Sequence, residues 1–130
     1  MVHSLQGYSA APDVEVAVAE LVDQVGSDGS VGLLYFASGD YDEQVLARAM
    51  ARKFHCPVWG CCAAGVFGAR GYHPLGIQAV SLSGPLTIKP FFCQSLDDLD
   101  AIRAVADGLG QAGRNAFAIL LLDGLSQKEE

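Results

Sequence analysis

Val31-Gly-Leu-Leu-Tyr-Phe-Ala37 decides the fold class, because this run is continuously apolar and lies between turn residues. It is too short for a helix, and apolar side chains on both faces are typical of a central strand covered on both sides. Apolar residues recur at helical spacing before it, over 14–25, and after it, over 45–54. This order of helix, strand and helix predicts an α/β (α+β) fold, in which helices flank a mixed β-sheet.

The rest of the chain adds shorter elements. Pro57–Cys61 predicts a second buried strand, and Leu75–Ser83 and Leu86–Gln94 predict two strands joined by a tight corner at Gly84-Pro85. Ala116–Leu122 predicts one more buried strand. We therefore expect a single domain over residues 1–130, with its core at about residues 14–125.

Pairs of polar residues with capping-box spacing mark the predicted helix starts. Asp40 with Glu43 starts the second helix, and Ser95 with Asp98 starts a third. The apolar residues of that third helix predict its inner face: Leu99, Ile102, Ala106 and Leu109. Ser126 and Glu129 have the same spacing at the end of the chain, which predicts a truncated module, cut before a further helix; a frayed polar tail is the alternative.

Composition excludes several classes of partner. The formal charge is −7, from 8 Lys and Arg against 15 Asp and Glu, so DNA, RNA and anionic membranes are unfavourable partners. The first residues lack the charged and apolar regions of a signal peptide, and the longest apolar run, residues 116–122, is shorter than a membrane-spanning helix. We expect a cytoplasmic protein with reduced cysteines.

The order of motifs from Val31 onwards resembles the amino-terminal part of FIST domains. In that family a strand ending near Tyr-Asp, here Tyr41-Asp42, leads through a helix to a Gly-Cys-Ser-small-Ala-Gly turn. Gly60, Cys61, Ala64 and Gly65 match this turn, whereas Cys62 and Ala63 replace its hydroxyl residues. The similarity covers roughly residues 14–130, the first half or so of a complete module.

The resemblance implies a sensory input module of a signal transduction protein. Its ligand would be a small molecule, such as an amino acid or a related metabolite, and its partners the remaining carboxy-terminal part of the module and a signalling output domain. Some relatives are associated with haem and nitric oxide, so haem ligation by His55 or His73 is an alternative, although the sequence has no haem attachment motif.

The Gly60–Gly71 segment is the predicted ligand site, because small residues after a buried strand expose backbone N–H groups that hold carboxylates or phosphates. Glycines that permit close strand packing explain the segment equally well, and the resemblance favours the site. The predicted ligand-binding residues are Ser38, Asp40, Gly60, Cys61, Cys62, Ala63, Ala64, Gly65 and Arg70. Asp40 and Asp42 also suit a helix start, Asp123 suits a turn, and Arg70 suits a solvated loop.

The sequence contains no recognisable catalytic motif. No triad is evident, and adjacent Cys61 and Cys62 form no Cys-x-x-Cys motif, so a thiol-dependent enzyme stays the rival hypothesis and a non-enzyme the main one. The spacing of His55, Cys56, Cys61 and His73 matches no familiar zinc pattern, so no metal site is predicted. Because a truncated sheet leaves an unpaired edge, we also expect self-association.

Overall fold

Strands and helices alternate through most of the protein. The computed structural model describes residues 1–68, 71–111, 113 and 115–121. The elements are β1 (His3–Ser9), α1 (Val14–Val25), β2 (Gly32–Ser38), α2 (Glu43–Lys53), β3 (Val58–Ala63), β4 (Val66–Gly68), β5 (Gly71–His73), β6 (Ile77–Ser83) and α3 (Leu99–Gly110). The chain divides into two units, residues 1–88 and 89–130.

The first unit is built on a four-stranded mixed sheet, as the sequence predicted. Its strand order is β1-β6-β2-β3, with β2 parallel to β3 and β6 antiparallel to both of its neighbours. Helix α2 supplies the long connection that a parallel pair requires. Because β2 lies inside the sheet, its continuous apolar run is explained by neighbours on both edges and both faces.

Helices α1 and α2 cover one face of this sheet and form the core with it. Leu21, Leu33, Leu46, Met50 and Ile77 are fully buried there. Burial of side chains of this size stabilises the fold by about 1.5–3 kcal/mol each. The hydrophobic stripes of the two helices were therefore predicted from their 3.6-residue period, except that Val45 at the start of the second stripe is 47% exposed.

The predicted capping box on Asp40 is wrong. Asp42 is the N-cap of α2, where its Oδ1 accepts a hydrogen bond of 2.9 Å from the Val45 N–H. Asp13 caps α1 in the same way, by a bond of 3.0 Å from Val16. In both helices, the carboxylate of the N-cap residue accepts a hydrogen bond from the free N–H group three residues later. Asp40 does not take part in the cap and lies exposed in the preceding turn.

Strand β1 was not predicted, because its polar residues obscure the two-residue period. It pairs along its whole length with β6, from His3 opposite Ser83 to Ser9 opposite Ile77. On its outer edge, the Gln24 carboxamide of α1 accepts from the Tyr8 N–H at 2.9 Å and donates to the Tyr8 carbonyl at 2.8 Å. The side chain thereby occupies the positions that a further strand would take at Tyr8.

The β4–β5 hairpin lies over the face of the sheet that the helices leave free, and it contacts β2 and β6. Val66 pairs with His73 and Gly68 pairs with Gly71. Val66 is buried, whereas Phe67 is 77% exposed. The glycine-rich segment, predicted to expose its backbone, is thus partly organised as a small two-stranded sheet that forms one wall of a cleft.

The second unit contains α3, whose N-cap is Asp98, with its Oδ1 accepting from the Ala101 N–H at 3.0 Å, so the predicted capping box that starts at Ser95 is wrong. Its predicted inner face is wrong, since no residue of α3 is buried and Leu99 is 61% exposed. Within this unit, the ring of Phe91 packs against Gly108 of α3. The spacing of apolar residues predicts that this segment is helical, but burial of their side chains requires another element that packs against them.

Two predicted strands are absent from the described residues. Residues 86–94 form no strand, because Pro85 and Pro90 remove amide donors from that segment. Residues 116–121 form no strand either, and Phe117 is 79% exposed; Leu122 and the predicted cap at Ser126 lie outside the described residues. No helix in the described part of the chain is long and apolar enough to cross a membrane.

Candidate ligand-binding cleft

The predicted site residues at the end of β2 have different environments. Ser38 is buried, its Oγ accepts a hydrogen bond of 3.1 Å from the Gly76 N–H, and its own N–H donates to the Gly76 carbonyl at 2.9 Å. These bonds attach the end of β2 to the start of β6. Asp40 lies exposed in the turn beyond it. Ser38 therefore has a clear structural role, whereas ligand binding by either residue stays a prediction.

Gly60 lies in a close-packed part of the helix-covered face. It pairs with Tyr35 in the parallel ladder, and a Cβ atom at position 60 would meet the Tyr35 ring at 2.8 Å and the Tyr35 carbonyl oxygen more closely still. The absence of a side chain lets the ring lie across the backbone of β3. Of the two explanations for these glycines, the contacts of Gly60 agree with close packing.

Cys61 and Cys62 point to opposite faces, because side chains alternate along a strand. Cys62 lies on the helix-covered face, where burial, the charge of Glu43 and a hydrogen bond to Glu43 raise the pKa of its thiol. Burial also raises the pKa of the Cys61 thiol. Both thiols are therefore protonated near neutral pH, which is the opposite of an activated nucleophile. Ala63 and Ala64 follow at the strand end, and Ala64 is exposed.

A cleft of about 260 Å³ lies between the sheet and the β4–β5 hairpin. Its lining is almost wholly apolar, with one carboxamide: Phe36, Gly65, Val66, Phe67 and Gln78. We call this the hairpin cleft. Phe36 of β2 and Gln78 of β6 are cross-strand partners on the floor, and Cys61 is the next residue in the same row across the sheet. The walls come from the hairpin.

Gln78 is the polar group of the hairpin cleft. Its side chain is only 7% exposed, and its Oε1 is shielded from water without a hydrogen-bond partner among the described residues. A Cβ atom at Gly68 would lie 2.7 Å from this oxygen, so the glycine of β4 lets the hairpin close over the carboxamide. A buried acceptor left unpaired costs about 1–3 kcal/mol, which a hydrogen-bond donor would recover.

A second cleft, of about 310 Å³, lies on the other side of Gln78. Tyr8 of β1 is the other cross-strand partner of Gln78, and its ring stacks on His73 of β5 with 4.4 Å between ring centroids. The Tyr8 hydroxyl donates to the Leu75 carbonyl at 2.7 Å. Gln78 therefore lines both clefts: the apolar hairpin cleft and the second cleft, which also has polar side chains.

The structure brings only some of the predicted residues to this place. Gly65 lines the hairpin cleft, and Cys61 lies next to it, whereas Asp40 and Cys62 lie elsewhere. Arg70 and Asp123 lie outside the described residues. Sequence reasoning missed Phe36, Val66, Phe67 and Gln78. An available signal was Gln78 itself, a carboxamide inside the apolar strand Ile77-Gln-Ala-Val-Ser-Leu-Ser83.

The two candidate haem ligands lie on either side of β3 in the sequence. His55 precedes this strand, and His73 lies in the hairpin that follows it. Haem ligation by either histidine stays a prediction. Among the residues that the structure describes, no three His, Cys, Asp or Glu side chains are grouped as metal ligands.

A family model called the FIST N domain matches residues 31–130. The matched region includes β2, β3, the hairpin and β6, and thus every residue that lines the hairpin cleft. No curated protein matches the chain.

Proposed function

The chain belongs to the FIST N domain family, and on that premise we propose that it is the sensory input part of a cytoplasmic signalling protein and binds a small molecule in the hairpin cleft. FIST domains are small-ligand sensory domains of signalling proteins. Amino acids or related metabolites are the proposed ligand class for this member. The remaining part of the module and an output domain are the proposed recipients of the signal.

The hairpin cleft is the observation that carries this proposal. It combines apolar walls with one buried polar group, Gln78, which is the usual composition of a small-molecule site. Ligand contacts of Ser38, Asp40, Cys62 and Arg70 stay predictions from the sequence, and binding in the hairpin cleft does not depend on them. Gly65 belongs both to the family turn and to the cleft, so it links the sequence motif to the geometry.

A thermal-shift screen of a metabolite library tests this function. At a concentration one hundred times its Kd, a ligand stabilises the protein by about 2.7 kcal/mol, which raises Tm by roughly 10 °C in a chain of this size. Phe67→Ala should weaken binding about tenfold, because one aromatic wall is lost, and should leave the unliganded stability within about 0.5 kcal/mol, because the ring is 77% exposed.

Phe92→Ala is the matched control, since Phe92 is 89% exposed and is not among the residues that line the cleft. Its ligand-induced shift should equal that of the wild type. If no metabolite raises Tm, or if both variants lose the shift equally, the proposed site is wrong.

The rival thiol-dependent enzyme is disfavoured by the raised pKa values of Cys61 and Cys62. Rapid alkylation of either thiol at pH 7 would favour that rival over a sensor without catalytic machinery. Haem, with a single histidine ligand, would show as a Soret band in protein purified from cells.

A further inference from the structure

The side-chain oxygen of Gln78, which is unpartnered among the described residues, limits the chemistry of the ligand. We infer that, among metabolites related to amino acids, the hairpin cleft recognises an uncharged one: a neutral, planar molecule that carries a lactam or primary amide on an apolar body. This inference rests on the proposed function, because it concerns the ligand of the same cleft. It derives from the juxtaposition of Gln78 with two phenylalanine rings in a space of about 260 Å³.

The first step of the argument is the hydrogen-bonding capacity of Gln78. A carboxamide has an acceptor oxygen and a donor NH₂ group side by side, and the Oε1 of Gln78 is buried without a partner. Rotation about the last side-chain torsion, which is soft and roughly two-fold, exchanges the oxygen with the NH₂ group and brings the shielded oxygen towards the cleft. A ligand N–H can then donate a hydrogen bond to this oxygen, and an amide or lactam supplies that N–H as part of a neutral, planar group.

The second step is the nature of the walls. Phe36 forms the floor beside Gln78, and Phe67 and Val66 lie opposite on the hairpin. Aromatic rings pack favourably on a planar group, and an apolar lining makes burial of an ionised group costly. A neutral planar amide satisfies the carboxamide and the walls together.

The third step is the exposure of Phe67. This ring is 77% exposed even though it lines the cleft, and its only described ring contact is with Tyr72 at 5.3 Å between centroids. An aromatic side chain so exposed gains apolar contact when a ligand enters. The ligand therefore completes the packing of the hairpin as well as the hydrogen bonding of Gln78.

Oxindole and 1-methyloxindole are suitable probes, because both are planar and neutral but the methyl group removes the N–H donor. Binding to the full chain is measured by calorimetry, and the contact is located by chemical-shift changes at Gln78 and Phe67. We expect oxindole to bind the wild type at least about tenfold more tightly than 1-methyloxindole, since an unpaired buried acceptor remains in the second complex.

Gln78→Met removes the carboxamide and keeps an unbranched side chain of similar length. In this variant the two probes should bind within about twofold of one another. Gln44→Met is the matched control, because Gln44 lies exposed on α2, and it should retain the tenfold preference. Urea unfolding of both variants confirms that each is folded.

Equal binding of the two probes to the wild type, or no binding of either, would overturn the inference. Retained preference in Gln78→Met would do the same. These outcomes are distinct from failure of the proposed function: a metabolite that stabilises the wild type through Phe67 but has no amide would sustain the sensor and refute this ligand class.

Discussion

Two glycines of the same turn should respond in opposite ways to alanine. In Gly60→Ala the new methyl group meets the Tyr35 ring at 2.8 Å and the backbone oxygen of Tyr35 still more closely, so the ladder between β2 and β3 has to shift. In Gly65→Ala the three atoms nearest the methyl group all belong to the hydroxyl end of Tyr72, at 2.5 Å for the nearest, and that side chain is 55% exposed and can rotate away.

The magnitudes follow from these neighbours. Overpacking against backbone costs about 3 kcal/mol, and the reduced freedom of the unfolded chain returns about 0.7 kcal/mol, so Gly60→Ala should lower the free energy of unfolding by about 2 kcal/mol. For Gly65→Ala the small strain and the same entropic gain nearly cancel, and the change should stay within about 0.5 kcal/mol. Neither glycine has a positive φ, so backbone strain does not enter the comparison.

Urea unfolding followed by circular dichroism measures both values, with the m-value showing whether the unfolding reaction itself is unchanged. A loss at Gly60 equal to that at Gly65 would refute the reasoning that Gly60 is a packing residue. Ligand titration then separates the roles further, since Gly65→Ala should alter affinity at the hairpin cleft without the loss of stability.

Three further outcomes are expected. Asp42→Ala should lower the free energy of unfolding by about 1 kcal/mol because it removes the N-cap of α2, whereas Asp40→Ala should stay within about 0.5 kcal/mol; equal losses in denaturant titrations would contradict this assignment. Glu43→Gln should lower the pKa of the Cys62 thiol, since a negative charge that opposes the thiolate is removed, and should speed alkylation of Cys62 at pH 8; an unchanged or slower rate would contradict the cause given for the raised pKa. The chain should self-associate in light scattering through exposed apolar residues such as Leu99 and the outer edge of β3, and Leu99→Lys should weaken the association; a monomer at all concentrations would refute this expectation.

The elements that the sequence predicted correctly are those in which hydrophobic side chains form a stripe or a continuous run. Helices α1 and α2 follow from such stripes, and β2 follows from a run that is apolar on both faces. Strand β1 was missed because Gly7 and Ser9 occupy buried positions where a hydrophobic side chain would have marked the period. Gly7 is required there, since a Cβ atom would meet Val25 at 2.9 Å.

The candidate site was predicted only in part, because the hairpin cleft depends on register. Phe36 and Gln78 are 42 positions apart in the sequence and become neighbours only when β2 pairs with β6. Gly65 was found through the family turn, whereas Val66 and Phe67 follow it in a hairpin whose pairing the sequence does not announce. The local sequence pattern predicts individual helices and strands, whereas the pairing of distant strands determines which side chains come into contact.

The hydrogen bonds between Gln24 and Tyr8 make the two edges of the sheet unequal as places where a further strand can pair. With its backbone groups at Tyr8 engaged, β1 is closed at that point to a strand from another copy, and a symmetric dimer through this edge would first have to break two bonds. The opposite margin, β3, has no such side chain among the described residues of the sheet. A further strand, from this chain or from a partner, would therefore join next to the family turn, so that assembly and ligand occupancy could influence one another at the same edge.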